Sequence, residues 1–154
     1  MSDNKVLIIQ EAIIGAVKEL LKGRVNEILL DEEFEVPIVE FGNYQDGGSV
    51  APVIALSSCE KSEKERIIRL DAYSLTITFS LPDKFETESQ CYAYCAAVCW
   101  ALKENPTLGG VVDRAVITGE KYVPPKSINC GQNWEVILSL RVTVENPLPC
   151  GFST

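Results

Sequence analysis

Six Cys and no His among 154 residues limit the chemistry open to this chain. Without imidazole there is no Ser–His or Cys–His nucleophile pair and no His general base. Most zinc and iron sites also lose their usual nitrogen ligand. Three of the thiols, Cys91, Cys95 and Cys99, recur at every fourth position, a spacing that sets them near one face of a helix. Structural zinc knuckles and iron–sulfur loops use tighter Cys spacings on turns, with a fourth ligand, whereas free Cys is among the most buried residue types. Core packing is therefore the expected role, and no metal or cofactor is expected. The acidic group Asp31, Glu32, Glu33 and Glu35 lacks the alternation, central Gly and closing Glu of a calcium loop and reads as a solvated turn. Gly47-Gly48 and Gly109-Gly110 fit neither GxGxxG nor GxxxxGK[ST], and the second pair suits a chain reversal. Lys121, Tyr122 and Lys126 could attract an anion, but two cations in an acidic protein fit a partner-contact loop better. Carboxylate chemistry is what remains for an enzyme, with Asp71 and Glu120 as its candidates. The expectation is that the chain is not an enzyme.

The elements that would position these groups alternate between helix and strand. Val6, Ile9, Ile13, Val17 and Leu20 form one apolar stripe, which predicts a helix over 5–22 that Asp3 caps and Gly23 ends. Residues 38–41 and 52–58 read as strands, 43–49 as a Gly-rich turn, and the charged "CEKSEKER" at 59–66 as a solvated hairpin tip. Over 67–81, Tyr73, Leu75, Ile77 and Phe79 alternate with Ser74, Thr76 and Thr78, a half-buried strand with one wet or partner-covered face. Thr87 and Gln90 fit a capping box at the start of a second helix, whose inner stripe is Cys91, Cys95, Val98 and Leu102. Pro106 ends that helix at Asn105. Strands follow at 111–121 and 134–145, separated by a loop at 122–133 that is longer than a hairpin needs. This order predicts an α+β domain: a largely antiparallel sheet of four to five strands, with two helices on one face. A single domain spans 1–154, and 146–154 are expected to form a flexible tail.

A net charge of −8 argues against binding along nucleic-acid phosphates or on an anionic membrane. It is compatible with DNA passing nearby, because an acidic wall repels the phosphate backbone. No run of 18 or more apolar residues occurs and the first residues are polar. Neither a transmembrane helix nor a signal peptide is expected, and reduced cytosolic thiols follow.

The helix end "ALKENPTLGGVVDRAVI", with its Leu108-Gly109-Gly110 turn, runs on to the closing alternating strand "WEVILSLRVTVE". This pattern resembles the tail terminator and tail-completion proteins of long-tailed bacteriophages and prophages, over most of the chain from the first helix to about Glu145. The resemblance implies a structural subunit that assembles into a ring, usually of six copies. Such a ring caps the tail tube, stops its polymerisation and joins tail to head. The implied partners are further copies of the chain, the tail tube protein and a head-completion or neck protein, with DNA only as passing cargo. The implied location is the virion tail, after assembly in the host cytoplasm. A head–tail joining or minor tail tube subunit is the alternative. The family has no catalytic residues, and the candidates here are contact residues on the three expected loops: Tyr44 and Asp46; Lys61, Lys64 and Arg66; Tyr122, Pro124, Pro125, Lys126 and Asn129. These loops are expected to be mobile in the unassembled subunit.

Overall fold

The computed structural model describes residues 8–41, 49–82, 86–125 and 133–147. Helix α1 (Gln10–Leu20), a π-helical turn (Leu21–Val25) and α2 (Asn26–Asp31) make one unbroken helical rod. The helix expected to stop at Gly23 thus continues to Asp31. The reason lies in the apolar period. Ile13, Val17, Leu20, Leu21, Val25, Ile28 and Leu29 are all buried, a stripe that keeps helical spacing along one face. Leu21 carries that face across the π turn to Val25, so the apolar period does not break at Gly23. Asn26 steadies the junction. Its side-chain amide donates to Lys22 O at 3.0 Å and to Val39 O at 2.8 Å, and its Oδ1 accepts Val39 N–H at 2.8 Å.

That clasp holds β1 (Ile38–Val39), which pairs in parallel with β2 (Ser49–Val50). The main sheet has β3 (Val53–Glu65), β4 (Ile68–Pro82), β5 (Arg114–Val123) and β6 (Asn133–Pro147) in the antiparallel order β3-β4-β6-β5. Tyr73, Leu75, Ile77 and Phe79 of β4, with Val136, Leu138, Leu140, Val142 and Val144 of β6, face α3 (Thr87–Glu104) and the first rod in a single core. The α+β architecture expected from the sequence is the one observed. Phe79 stacks on Tyr94 with ring centroids 4.6 Å apart, and the Tyr94 hydroxyl donates to Pro37 O. Cys91 and Cys95 are buried in the same core, as expected, but Cys99 is only half-buried.

Three local expectations change. "CEKSEKER" is no hairpin tip: β3 runs through it to Glu65, paired with β4, and the turn is Arg66-Ile67. The capping box does not form, because the Thr87 hydroxyl donates to Pro82 O at 2.8 Å and the Gln90 amide to Glu35 O at 3.1 Å. β6 continues through Asn146 and Pro147, two residues into the segment expected as a tail; 148–154 lie outside the described residues.

The helix end at Asn105 is as expected. Beyond it, Leu108, Gly109 and Gly110 take φ of 52°, 75° and 92°, the left-handed region that Gly tolerates and Leu enters at a cost. Burial of the Leu108 side chain offsets that cost. Gly109 N–H donates to Asn105 Oδ1 at 2.9 Å and Gly110 N–H to Thr107 Oγ1 at 3.2 Å, and the reversed chain enters β5.

Candidate assembly surface

Strands usually run to about ten residues. Here β3 has 13, and β4 and β6 have 15 each. At the far end of the β3–β4 hairpin, residues 60–64, 66 and 67 are exposed, and β6 follows β4 to Ile68. Ile67 stands at its turn, 67% exposed. Three expected contact residues belong to this arm. Lys61 lies 3.9 Å from Asp71 Oδ2 and 5.9 Å from the Tyr73 ring centroid, Lys64 pairs with Glu145, and Arg66 is exposed at the turn. The two lysines thus have partners within the chain, and Arg66 and Ile67 are the outward groups of the tip.

The root of the arm is held by a polar cluster on the helix side of the sheet. Asp71, fully buried, accepts from Arg69 Nε at 2.8 Å and Nη2 at 3.1 Å, and from Asn146 Nδ2 at 2.8 Å. Asn146 Oδ1 accepts Ile8 N–H at 2.9 Å, and the Tyr73 hydroxyl donates to Ile8 O at 3.4 Å. The chain entering α1 is thereby tied to the last strand. Burial pushes the Tyr73 phenol up to about 12, and the nearby Cys59 and Asp71 act in the same direction.

The sheet has two open edges, β3 and β5. Natural edges are blunted by charges, bulges and proline. β5 carries Arg114, Glu120 and Lys121 and a bulge between Ile117 and Gly119, and two prolines follow it. The outer half of β3 is charged and bulged between Glu63 and Glu65. Val53, Ile54, Ala55 and Leu56 form an uncharged stretch with regular register, and Val53 is 63% exposed. The face away from the helices carries Ser74, Thr76, Thr78, Ser139 and Thr143, and no other described element lies over it. Of the remaining expected contacts, Tyr122 is in β5 rather than a loop, with Pro124 and Pro125 directly after the strand. Tyr44, Asp46, Lys126 and Asn129 lie outside the described residues.

Asp71 and Glu120, the candidates for carboxylate chemistry, fall in separate clusters. Asp71 belongs to the root of the arm. Glu120 reaches from β5 toward α3, where it accepts from Cys99 Sγ at 3.4 Å, beside Cys95 and Tyr122. Tyr122 also meets the Tyr92 ring edge-on at 4.9 Å, and Tyr92 donates to Glu88 at 2.8 Å. Sequence reading missed the Glu120 cluster because it links two elements about twenty residues apart. Burial pushes Cys91 up from 9.0 to about 11, with Glu88 adding to the effect. Burial also pushes Cys95 up to about 12; the Tyr122 hydroxyl opposes this and Glu120 reinforces it. Both are thiols at neutral pH and poor nucleophiles.

The raised values carry a stability consequence. Below the unfolded thiol pKa both states hold the protons and stability is flat. Above it the unfolded chain releases protons that the folded chain keeps, so stability falls until the folded values of about 11 and about 12 are passed. Each group contributes a slope of about 1.4 kcal/mol per pH unit within its window. Urea midpoints measured in phosphine reductant should hold steady from pH 7 to about 8.5 and then drop toward pH 10. Cys91→Ala should flatten part of that drop.

Comparison of the chain with protein-family models and with curated proteins finds no match in either.

Proposed function

We propose that this chain is a structural subunit that works by assembling with copies of itself, as a tail terminator of a long-tailed phage or prophage. One observation carries the reading: a four-stranded antiparallel sheet with both edges open, one with an uncharged stretch at residues 53–56 and the other blunted, and a hairpin with an exposed apolar residue at its turn. Unlike edges suit a heterologous contact, in which one patch meets a different patch on the next copy. Such contacts close into a ring when the rotation allows. A terminator must pair at one rim and refuse at the other, and charge, bulges and proline at selected edges achieve that. A charge of −8 per chain gives a ring lumen that repels passing DNA, so the cargo slides without sticking. The phage context and the expectation of six copies come from the resemblance carried by the pattern around Leu108-Gly109-Gly110.

Native mass measurement and negative-stain imaging, alone and with tail tube protein, test this reading. The expected result is a closed ring seated on the tube end. A strict monomer under both conditions overturns it. Deleting the gene from a prophage separates the neighbouring role: overlong tails mark a terminator, while normal-length tails detached from heads mark a joining protein.

A further inference from the structure

The side chains of Cys95, Cys99 and Glu120 converge where α3 packs against β5, and their ligand atoms all lie within 4.8 Å of one another. We propose that these three residues form a binding site for a borderline-soft divalent ion of the Zn²⁺ class. The geometry is close to what such an ion needs. A tetrahedral zinc with bonds of about 2.3 Å to sulfur and about 2.0 Å to oxygen sets two sulfurs about 3.8 Å apart and each sulfur about 3.5 Å from the oxygen. The Cys99 Sγ–Glu120 Oε2 separation is 3.4 Å, and the remaining separations are within 4.8 Å.

The placement of Glu120 is what distinguishes this set from three core thiols. Its register partner is Leu138, on the buried side of β6, so an acidic residue stands on the helix-facing side of β5, where Ala115 and Ile117 are apolar. Cys91 is excluded from the set by its place deeper in the core. Cys99 and Glu120 also line a groove of about 660 Å³, together with Lys103, Leu102, Pro106 and Arg114. The groove gives an ion its entry path and leaves a fourth coordination position open to water. Three protein ligands and one open position is the pattern of a reactive or exchangeable site rather than a closed structural one.

Binding balances as one divalent ion taken up and two thiol protons released, with the Glu120 carboxylate ligating as it stands. The ion overcomes the burial that keeps the thiols protonated, because a coordinated thiol is deprotonated outright. Lys103, which lines the groove and favours the Cys99 thiolate, partly neutralises the charge of two thiolates and one carboxylate around a dication. Bound metal would fix the otherwise open β5 edge to α3. The site does not depend on the assembly reading.

The test uses the full chain without an affinity tag, reduced with a phosphine. Because the sequence has no His, cobalt cannot be held by imidazole. Titration with Co²⁺ should give one ion per chain, with a thiolate-to-cobalt charge-transfer band and the visible bands of tetrahedral cobalt. Zn²⁺ should displace the cobalt, and two protons per ion should appear in a weakly buffered indicator assay. Cys99→Ser, at a half-buried position, and Glu120→Gln, at an exposed one, keep the fold while weakening binding by at least ~10-fold. Cys59→Ser leaves the titration unchanged. Absence of any thiolate–cobalt band at excess metal overturns the proposal. So does a band that survives Cys99→Ser at full strength, or tight binding with no proton release.

Discussion

Replacing Asp71 by Ala should cost about 3–5 kcal/mol of folding stability, the usual effect of removing one partner of a buried ion pair. Asp71 is fully buried and receives two bonds from Arg69 and one from Asn146. Without it, a guanidinium and an amide keep their places on the helix side of the sheet and lose their acceptor. Arg69 retains 24% side-chain exposure, so water recovers part of the loss and the lower end of the range is favoured. A domain of this size has about 5–15 kcal/mol in all, and roughly 2–4 °C of Tm accompany each kcal/mol. Thermal melts should therefore shift down by roughly 10 °C. Asp71→Asn, which keeps an acceptor for Asn146 but loses the charge, should fall between. The double variant with Asn146→Ala should be less destabilised than the sum of the two, because both remove the same bond. The released Ile8 contact should appear as faster amide exchange at the start of α1. A wild-type midpoint in Asp71→Ala would show that the cluster is held by something other than this carboxylate. Glu104 provides the contrast. It also takes two bonds from an arginine, Arg24, at 2.6 and 3.0 Å, but at the exposed surface, where its replacement should move stability little.

The arm and its root show where sequence reading succeeds and where it stops. The alternation of Tyr73, Leu75, Ile77 and Phe79, and of Val136 through Val144, is a local signal: a period of two is visible without knowing any partner. The stop at Asn105 is equally local, because Pro106 imposes it sterically. The charged run from Cys59 to Glu65 gives no such signal. It is a strand because Asp71, Arg69 and Glu145 stand opposite or nearby to match its lysines and glutamates, and no window along the chain contains those partners. Thr87 and Gln90 match a capping box by spacing, yet their bonds go to Pro82 and Glu35, since tertiary acceptors compete with local ones.

Bulges hide more than charges do. Counting by twos from Ile54 and Leu56 puts Cys59 and Lys61 on the outer face, and the bulge between Leu56 and Ser58 turns them inward. Counting by twos from Ala115 and Ile117 sends Glu120 outward as well. The bulge between Ile117 and Gly119 reverses the phase and delivers its carboxylate to Cys99. One inserted residue exchanges the faces of everything beyond it. The β5 bulge thus sets the Glu120 cluster, while the β3 bulge brings Cys59 and Lys61 beside Asp71, whose own strand pairs with β6 without a break in register. A glutamate followed by Lys and Tyr at the end of an apolar strand was the available sign that the register had slipped.

The same edges make the second large effect. If copies associate through the uncharged stretch of β3, then Val53→Lys with Ala55→Lys should abolish the assembly and leave the fold intact. Both side chains are exposed on the face away from the helices, so stability should change by only about 0.5 kcal/mol or less at each site. A new strand laid beside β3 would bring its own side chains within about 5 Å of both positions. Two added ammonium groups would then have to be desolvated against a neighbour or displace it, and inward-facing or edge lysines are the device by which sheets refuse a partner. Light scattering should record a fall from the ring mass to the mass of one chain, about six-fold if the ring has six copies, with unchanged circular dichroism. The matched control is Lys121→Ala with Arg114→Ala on β5, which removes charge from the opposite edge. If β5 is the refusing edge, this pair should lengthen or broaden the assemblies instead of dissolving them. A ring of unaltered mass in the β3 variant would move the contact to the arm, where Ile67→Asp is the corresponding break. Persistence of the ring in that variant too would exclude strand edges and hairpin tip together, and with them the heterologous closure proposed for this chain.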